Sequence, residues 1–150
     1  MTGIHYRPME NSDTEAVGEL IKALYREDPA GKAMTDEKIR RTFDRLAAHP
    51  DTGILLVFET DSRLIGYALL INFWSNEYGG IVLTIDELYL APAFRGQGVG
   101  THFIQYLAEN RFSNCIALEL EVLPYNARAR RLYERLGFQK PDRDYLLRKG

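Results

Sequence analysis

The chain has 150 residues and one cysteine, Cys115. A lone cysteine excludes an internal disulfide, and without a Cys-x-x-Cys pair there is no zinc-ligand spacing. Cys115 opens the apolar run 115–118 and reads as a small buried hydrophobe. Histidine is nearly as scarce. His5, His49 and His102 match no ligand spacing, so no metal is assigned, and His102 reads as helix surface. Neither charge sign dominates: 19 Lys and Arg face 21 Asp and Glu, for a formal net charge of -2. No global positive charge draws the chain to nucleic acid. No apolar run approaches the roughly 20 residues of a membrane span. The first residues lack the apolar core of a secretion signal, so the expectation is a cytoplasmic protein without a membrane partner. Repeats, low-complexity tracts and Pro/Gly/Ser-rich linkers are also missing, which leaves one domain over residues 1–150.

What is present suits a globular domain. Hydrophobic residues make up 45% and charged residues 27%, ordinary values for a folded protein. A chain of this length buries about two thirds of its unfolded surface and needs no staple.

The periodicities predict a mixed α/β order, β-α-α-β-β-β-α-β-α-β, with one central sheet flanked by helices. A strand covers 4–7. Ser12 and Glu15 have capping-box spacing, ahead of a helix with Val17, Leu20, Ile21 and Leu24 on one face. The run 28–31 breaks that helix. Thr35 caps a second one, with Ile39, Phe43 and Leu46 inward, and 49–51 ends it. Runs 54–59 and 64–73 form a hairpin around 60–63, residues 72–80 form a loop, and a strand covers 81–90. After a glycine-rich turn a helix runs from about 98 to 111, with Val99, Phe103, Ile104 and Leu107 inward. A strand follows at 115–122. Asn126 caps a last helix with Ala129, Leu132, Tyr133 and Leu136 inward, and Gly137 stops it. Phe138 and 145–147 read as final strands.

Chemistry concentrates at Arg95-Gly96-Gln97-Gly98-Val99-Gly100, between a strand and a helix. Glycines there allow close backbone approach and leave N–H groups free at a helix start, which favours phosphate oxygens. A tight strand-to-helix turn would look the same. The Gly-x-x-x-x-Gly-Lys-Ser/Thr pattern of P-loops is absent. A dinucleotide fingerprint fits poorly, because Thr101 occupies its last glycine position and only one β-α-β unit is available.

The segment Leu88-Tyr89-Leu90-Ala91-Pro92-Ala93-Phe94-Arg95-Gly96-Gln97-Gly98-Val99-Gly100 resembles the signature of the GNAT superfamily of acyl-CoA-dependent N-acyltransferases. Arg95, Gly98 and Gly100 match its Arg/Gln-x-x-Gly-x-Gly/Ala pattern. The segment from Asn126 to Phe138 resembles the family's Asn-x-x-Ala-x-x-Leu-Tyr-x-x-x-Gly-Phe block. Two motifs at this separation make a joint signal much stronger than the loop alone. The resemblance implies the GNAT fold, a mixed twisted sheet with a V-shaped split for acetyl-CoA. It implies that Gln97, Gly98, Val99, Gly100 and Thr101 offer amides to the pyrophosphate, while Arg95 and Gly96 shape the turn. It implies that Leu88, Tyr89 and Leu90 lie along the pantetheine arm, with Asn126 touching that arm as well as capping its helix. An N–H near Leu88 or Leu90 would stabilise the oxyanion. Tyr133 would be the general acid for the departing thiolate. Read alone, it is a core tyrosine.

Asp86 and Glu87 resemble an acidic pair of small-amine acetyltransferases and are the candidate base, although strand alternation points them to opposite faces unless a bulge re-aims them. Glu77 is a further candidate. Between 51 and 94 stand Asp51, Glu59, Asp61, Glu77, Asp86 and Glu87 against Arg63 alone. That imbalance suits a cationic acceptor, and Tyr25, Glu27, Asp28, Trp74 and Tyr78 are candidates to wall its pocket. The segment 126–150, with eight basic and three acidic residues, suits the adenosine phosphates or a solvated helix face. The expected partner is a small amine, with a peptide amine second, and the resemblance is compatible with a homodimer. A CoA-binding module without catalysis is the rival of another class.

Overall fold

The computed structural model describes residues 3–28, 33–110, 112–124 and 126–150. Strand β1 (His5–Pro8) leads through a 3-10 turn (Asn11–Asp13) into helix α1 (Thr14–Arg26) and then α2 (Asp36–Ala48). Strands β2 (Gly53–Thr60), β3 (Arg63–Ser75) and β4 (Gly80–Leu90) follow. Helix α3 (Val99–Glu109), strand β5 (Ala117–Leu120) and helix α4 (Ala127–Arg135) complete the order. The sheet order is β1-β2-β3-β4-β5. All neighbours are antiparallel except β4 and β5, which run parallel.

Helices on both faces explain why β2 and β3 are nearly continuous apolar runs. Alternate residues serve two cores. Leu56, Phe58, Ala68, Leu70, Leu83 and Ile85 pack toward Val99, Phe103, Ile104 and Leu107 of α3. Leu55, Val57, Tyr67, Leu69 and Tyr89 pack toward Val17 and Ile21 of α1 and Ile39 of α2. The β2–β3 hairpin closes through Asp61 and Ser62, both at positive φ (49° and 59°), the turn whose twist matches paired strands. Among the described residues no helix is long and apolar enough to cross a membrane.

Several expectations are corrected. Ser12 does not cap α1. Asp13 organises that entry instead, accepting from Arg7 at 2.8 and 3.1 Å and from the Glu10 N–H at 2.8 Å. The loop expected at 72–80 shrinks to 76–79, because Asn72, Phe73 and Trp74 continue the ladder opposite Leu83, Val82 and Ile81. The strands expected at Phe138 and 145–147 do not form. Phe138 packs against the core, whereas Tyr145, Leu146 and Leu147 are 75%, 89% and 69% exposed. Three apolar residues between Asp144 and Arg148 bury too little to offset the ordering entropy. His102 lies half-buried on α3. Its Nδ1 lies 2.7 Å from the Tyr6 hydroxyl, a phenol that burial pushes up to about 12. Of the expected break at 28–31, all but Asp28 lies outside the described residues.

Asp13 predicts part of the acid response. Its hydrogen bonds from Arg7 hold its pKa below the ordinary value, against an opposing burial effect. A depressed carboxyl stabilises the fold above its unfolded value of about 3.9, and that stability is lost as pH falls through the folded value. Asp13→Asn is expected to lose about 2 kcal/mol at neutral pH and to flatten the fall in melting temperature below about pH 4. An acid limb as steep as wild type would contradict this.

Candidate active site

The site begins where β4 loses one neighbour. Its parallel pairing with β5 runs from Val82 opposite Ala117 to Ile85 opposite Leu120. Beyond Ile85, residues 86–90 pair with β3 alone. The backbone groups of their other edge have no strand partner among the described residues.

At the same point β4 bulges. Ile85 pairs with Leu70 and Glu87 with Leu69, so Asp86 is an extra residue in the ladder. An inserted residue resets the alternation. Ile85 and Leu88 belong to the α3-side core, while Glu87 pairs with Leu69 and Tyr89 with Tyr67 on the α1 side. Asp86 is felt electrostatically by Tyr25, Tyr67 and Glu87. The two carboxylates therefore gather at one place, not on opposite faces.

Glu87 is half-buried and doubly held. The Tyr67 hydroxyl donates to its Oε1 at 2.8 Å, and the Tyr25 hydroxyl donates to Oε2. Burial raises its pKa, the two phenols pull it down, and Asp86 raises it further. Desolvation also raises Asp86, which has no hydrogen bond or ion pair among the described residues. Both phenols are raised, chiefly by burial, and stay protonated donors at neutral pH.

Downstream, Pro92–Phe94 forms one 3-10 turn and the chain enters α3 through two left-handed glycines, Gly96 (φ 73°) and Gly98 (φ 83°). Gly98 is the N-cap, and the His102 N–H donates to its carbonyl at 3.0 Å. The N–H groups of the first α3 turn precede that bond and are left for an anion by helix geometry. Arg95 turns back from this opening. Its Nε donates to the Leu90 carbonyl at 2.8 Å, it pairs with Glu27 at 2.8 Å, and its guanidinium lies 5.3 Å from the Tyr89 ring centre. It ties the loop to the end of α1.

Helix α4 lies alongside. Asn126 caps it by accepting from the Ala129 N–H at 3.1 Å. A Cβ at Gly100 would meet Leu132 at 3.8 Å, and one at Gly96 would meet an Arg128 guanidinium nitrogen at 3.6 Å. Tyr133 is half-buried, its ring centre 5.8 Å from that of Phe138. Its hydroxyl makes no hydrogen bond among the described residues, and burial raises its pKa.

Of the proposed acceptor-pocket residues, the structure brings Tyr25 to Glu87, gives Glu27 to Arg95, and sets Asp28 within electrostatic reach of Tyr25. Trp74, Glu77 and Tyr78 stand at the opposite end of β4, roughly 20 Å from Glu87 at the strand rise. Glu77 pairs there with Arg143 at 3.0 Å, and Trp74 is 65% exposed. Two residues were not singled out from sequence. Tyr67 reads as one more core residue of an apolar strand. Arg128 reads as one arginine among several, and only its offset of two from the Asn126 cap places it near the loop.

Residues 16–138 match the Acetyltransferase (GNAT) family. The thialysine N-epsilon-acetyltransferase of Mus musculus is 37% identical over 79 residues, covering 52% of this chain and 46% of that protein. The chain spans about half the length of the curated relatives it matches. Among solved structures, a possible acetyltransferase from Clostridium difficile overlays with a TM-score of 0.84 at 19% identity, over 99% of this chain and 98% of that one. An aminoglycoside N-acetyltransferase in complex with CoA overlays with a TM-score of 0.77 at 20% identity, over 97% and 94%.

Proposed function

Because the chain belongs to the Acetyltransferase (GNAT) family, we propose that it moves an acetyl group from acetyl-CoA to a primary amine, and that the favoured acceptor is a small cationic amine or polyamine. The observation that carries this reading is the free edge of β4 at 86–90, which runs straight into the open start of α3.

The pyrophosphate sits on the amides of Gln97, Gly98, Val99, Gly100 and Thr101, with the Arg128 charge beside Gly96. The pantetheine arm adds to Leu88, Tyr89 and Leu90 as a strand would, near Asn126, and brings the thioester to the bulge. The amine attacks the thioester carbonyl in a ternary complex. The C–N bond forms, the C–S bond breaks, and a β4 N–H near Leu88 or Leu90 holds the oxyanion. One proton of the ammonium passes to the Asp86–Glu87 pair directly or through water before attack, and a second leaves the nitrogen as the C–S bond breaks and ends, through water, on the departing sulfur. Tyr133 donates toward the departing sulfur. The mouse thialysine enzyme, named for a small amine substrate, supports the choice of acceptor class.

Amide hydrogen exchange with and without CoA tests the seat. Slower exchange at 86–90 and 98–101 is expected, and protection confined to other segments would overturn the assignment. The acceptor class has its own test. With a polyamine, kcat/KM is expected to fall as salt rises from 0.02 to 0.3 M, on the order of threefold or more, and to stay flat with a neutral amine. Preference for anionic acceptors would defeat the charge argument while leaving acetyl transfer intact. CoA binding with no thiol release on any amine would favour a regulatory CoA-binding module.

A further inference from the structure

We propose that Tyr25 and Tyr67 are positioning residues that hold Glu87 as a fixed anionic anchor for the acceptor's ammonium, leaving its bulge neighbour Asp86 to take the proton. The inference rests on the acetyl-transfer reading and divides the roles of its two carboxylates.

Tyr67 is fully buried. A phenylalanine would fill that volume without a polar atom, and a buried hydroxyl is unfavourable unless it is bonded. The Tyr67 hydroxyl bonds to Glu87, itself a carboxylate drawn partly out of water. Folding alone gains little from burying this pair in the α1-side core, so the arrangement points to a site.

The clamp is also directional. Tyr67, from β3, takes one lone pair on Oε1, and Tyr25, from the last turn of α1, takes one on Oε2. Each oxygen keeps a second acceptor position. Burial raises the Glu87 pKa, and the two O–H donors oppose that rise by favouring the ionised form, so they keep the carboxylate charged and commit one position on each oxygen. Asp86 has no such donors and stands one residue away at the bulge.

Among the described residues, the other groups that act electrostatically on Tyr25, Tyr67 and Glu87 are carboxylates or phenols. Asp28 acts from the end of α1, Asp86 from β4 and Tyr67 from β3. Farther along β4, Tyr89 lies against Arg95, whose charge is engaged by Glu27.

The test uses Tyr67→Phe and Tyr25→Phe in the full chain. Titration of the Glu87 carboxyl carbon by NMR is expected to show its pKa rising by about one unit in each variant, since a donor to the charged form has been removed. For a cationic amine, KM at pH 7 is expected to rise about fivefold or more and to recover at higher pH, while CoA affinity holds. Glu87→Gln is expected to act mainly on KM and Asp86→Asn mainly on kcat. An unchanged Glu87 titration in both folded phenylalanine variants would overturn the clamp, leaving the two tyrosines as packing. If Tyr67→Phe fails to fold, Tyr25→Phe at the helix end decides alone. If Glu87→Gln lowers kcat and leaves KM alone, the division of roles fails. Wild-type protein inactive on every amine would defeat the acetyl-transfer reading, whereas the NMR result would still report on the clamp.

Discussion

Tyr133→Phe is expected to lower turnover about 100-fold, the low end for general acid–base catalysis, with little change in CoA affinity. That is about 2.7 kcal/mol of transition-state stabilisation. The Tyr133 hydroxyl has no partner among the described residues, while its ring is fixed against Phe138. A half-buried phenol whose hydroxyl has no protein partner among the described residues leaves its proton available as a donor. Burial raises its pKa above the ordinary tyrosine value near 10, so it is protonated throughout the neutral range. A thiol ionises at lower pH than this phenol. On the proposed reading, the phenol hydrogen-bonds the negative charge that develops on sulfur as the C–S bond opens, and water completes the protonation. Phenylalanine keeps the ring and its contact with Phe138, so the melting curve is expected to stay unchanged. A folded variant with normal turnover would make Tyr133 a packing residue.

Gly98→Val is expected to weaken CoA binding tenfold or more, about 1.4 kcal/mol. Gly98 caps α3 at φ 83°, and a Cβ there would have nothing within 4 Å. No internal clash is involved. A β-branched residue in the left-handed region costs roughly 1–2 kcal/mol, and its methyls would add bulk beside the α3 amides proposed to hold the pyrophosphate. Gly98→Ala is expected to lose less, because it adds strain with only one carbon of bulk. Equal affinity for CoA in wild type and a folded Gly98→Val would remove the phosphates from this loop. Binding of NAD in place of CoA would return the loop to the dinucleotide reading.

Much of the fold was legible because local signals agreed. Thr35 and Asn126 cap their helices as the sequence suggests, through Lys38 and Ala129. The four inward positions expected on α3 are all buried. The glycine turn into α3 was legible too, since glycines before a helix are a local feature. The acceptor side was not, because it depends on register and on distant partners. The bulge at Asp86 exists only relative to Leu69 and Leu70. Tyr67 and Glu87 are 20 residues apart and Tyr25 and Glu87 are 62 apart, and no periodicity links them. Trp74, Glu77 and Tyr78 were grouped with the site because the stretch is acidic and aromatic, whereas the length of β3 and β4 carries them to the far end of the sheet. Arg95, expected to shape the turn, also reaches back to Glu27 at the end of α1.

Product analysis tests the central claim most directly. The full chain is incubated with acetyl-CoA and a mixture of polyamines, neutral primary amines, anionic amino acids and lysine-containing peptides, and the acceptors are weighed by mass spectrometry. The expected result is one acetyl group added to the cationic small amines, with free CoA formed in equal amount and both signals formed about 100-fold more slowly by Tyr133→Phe. Intact acetyl-CoA and unmodified amines after prolonged incubation of protein that binds CoA would contradict it.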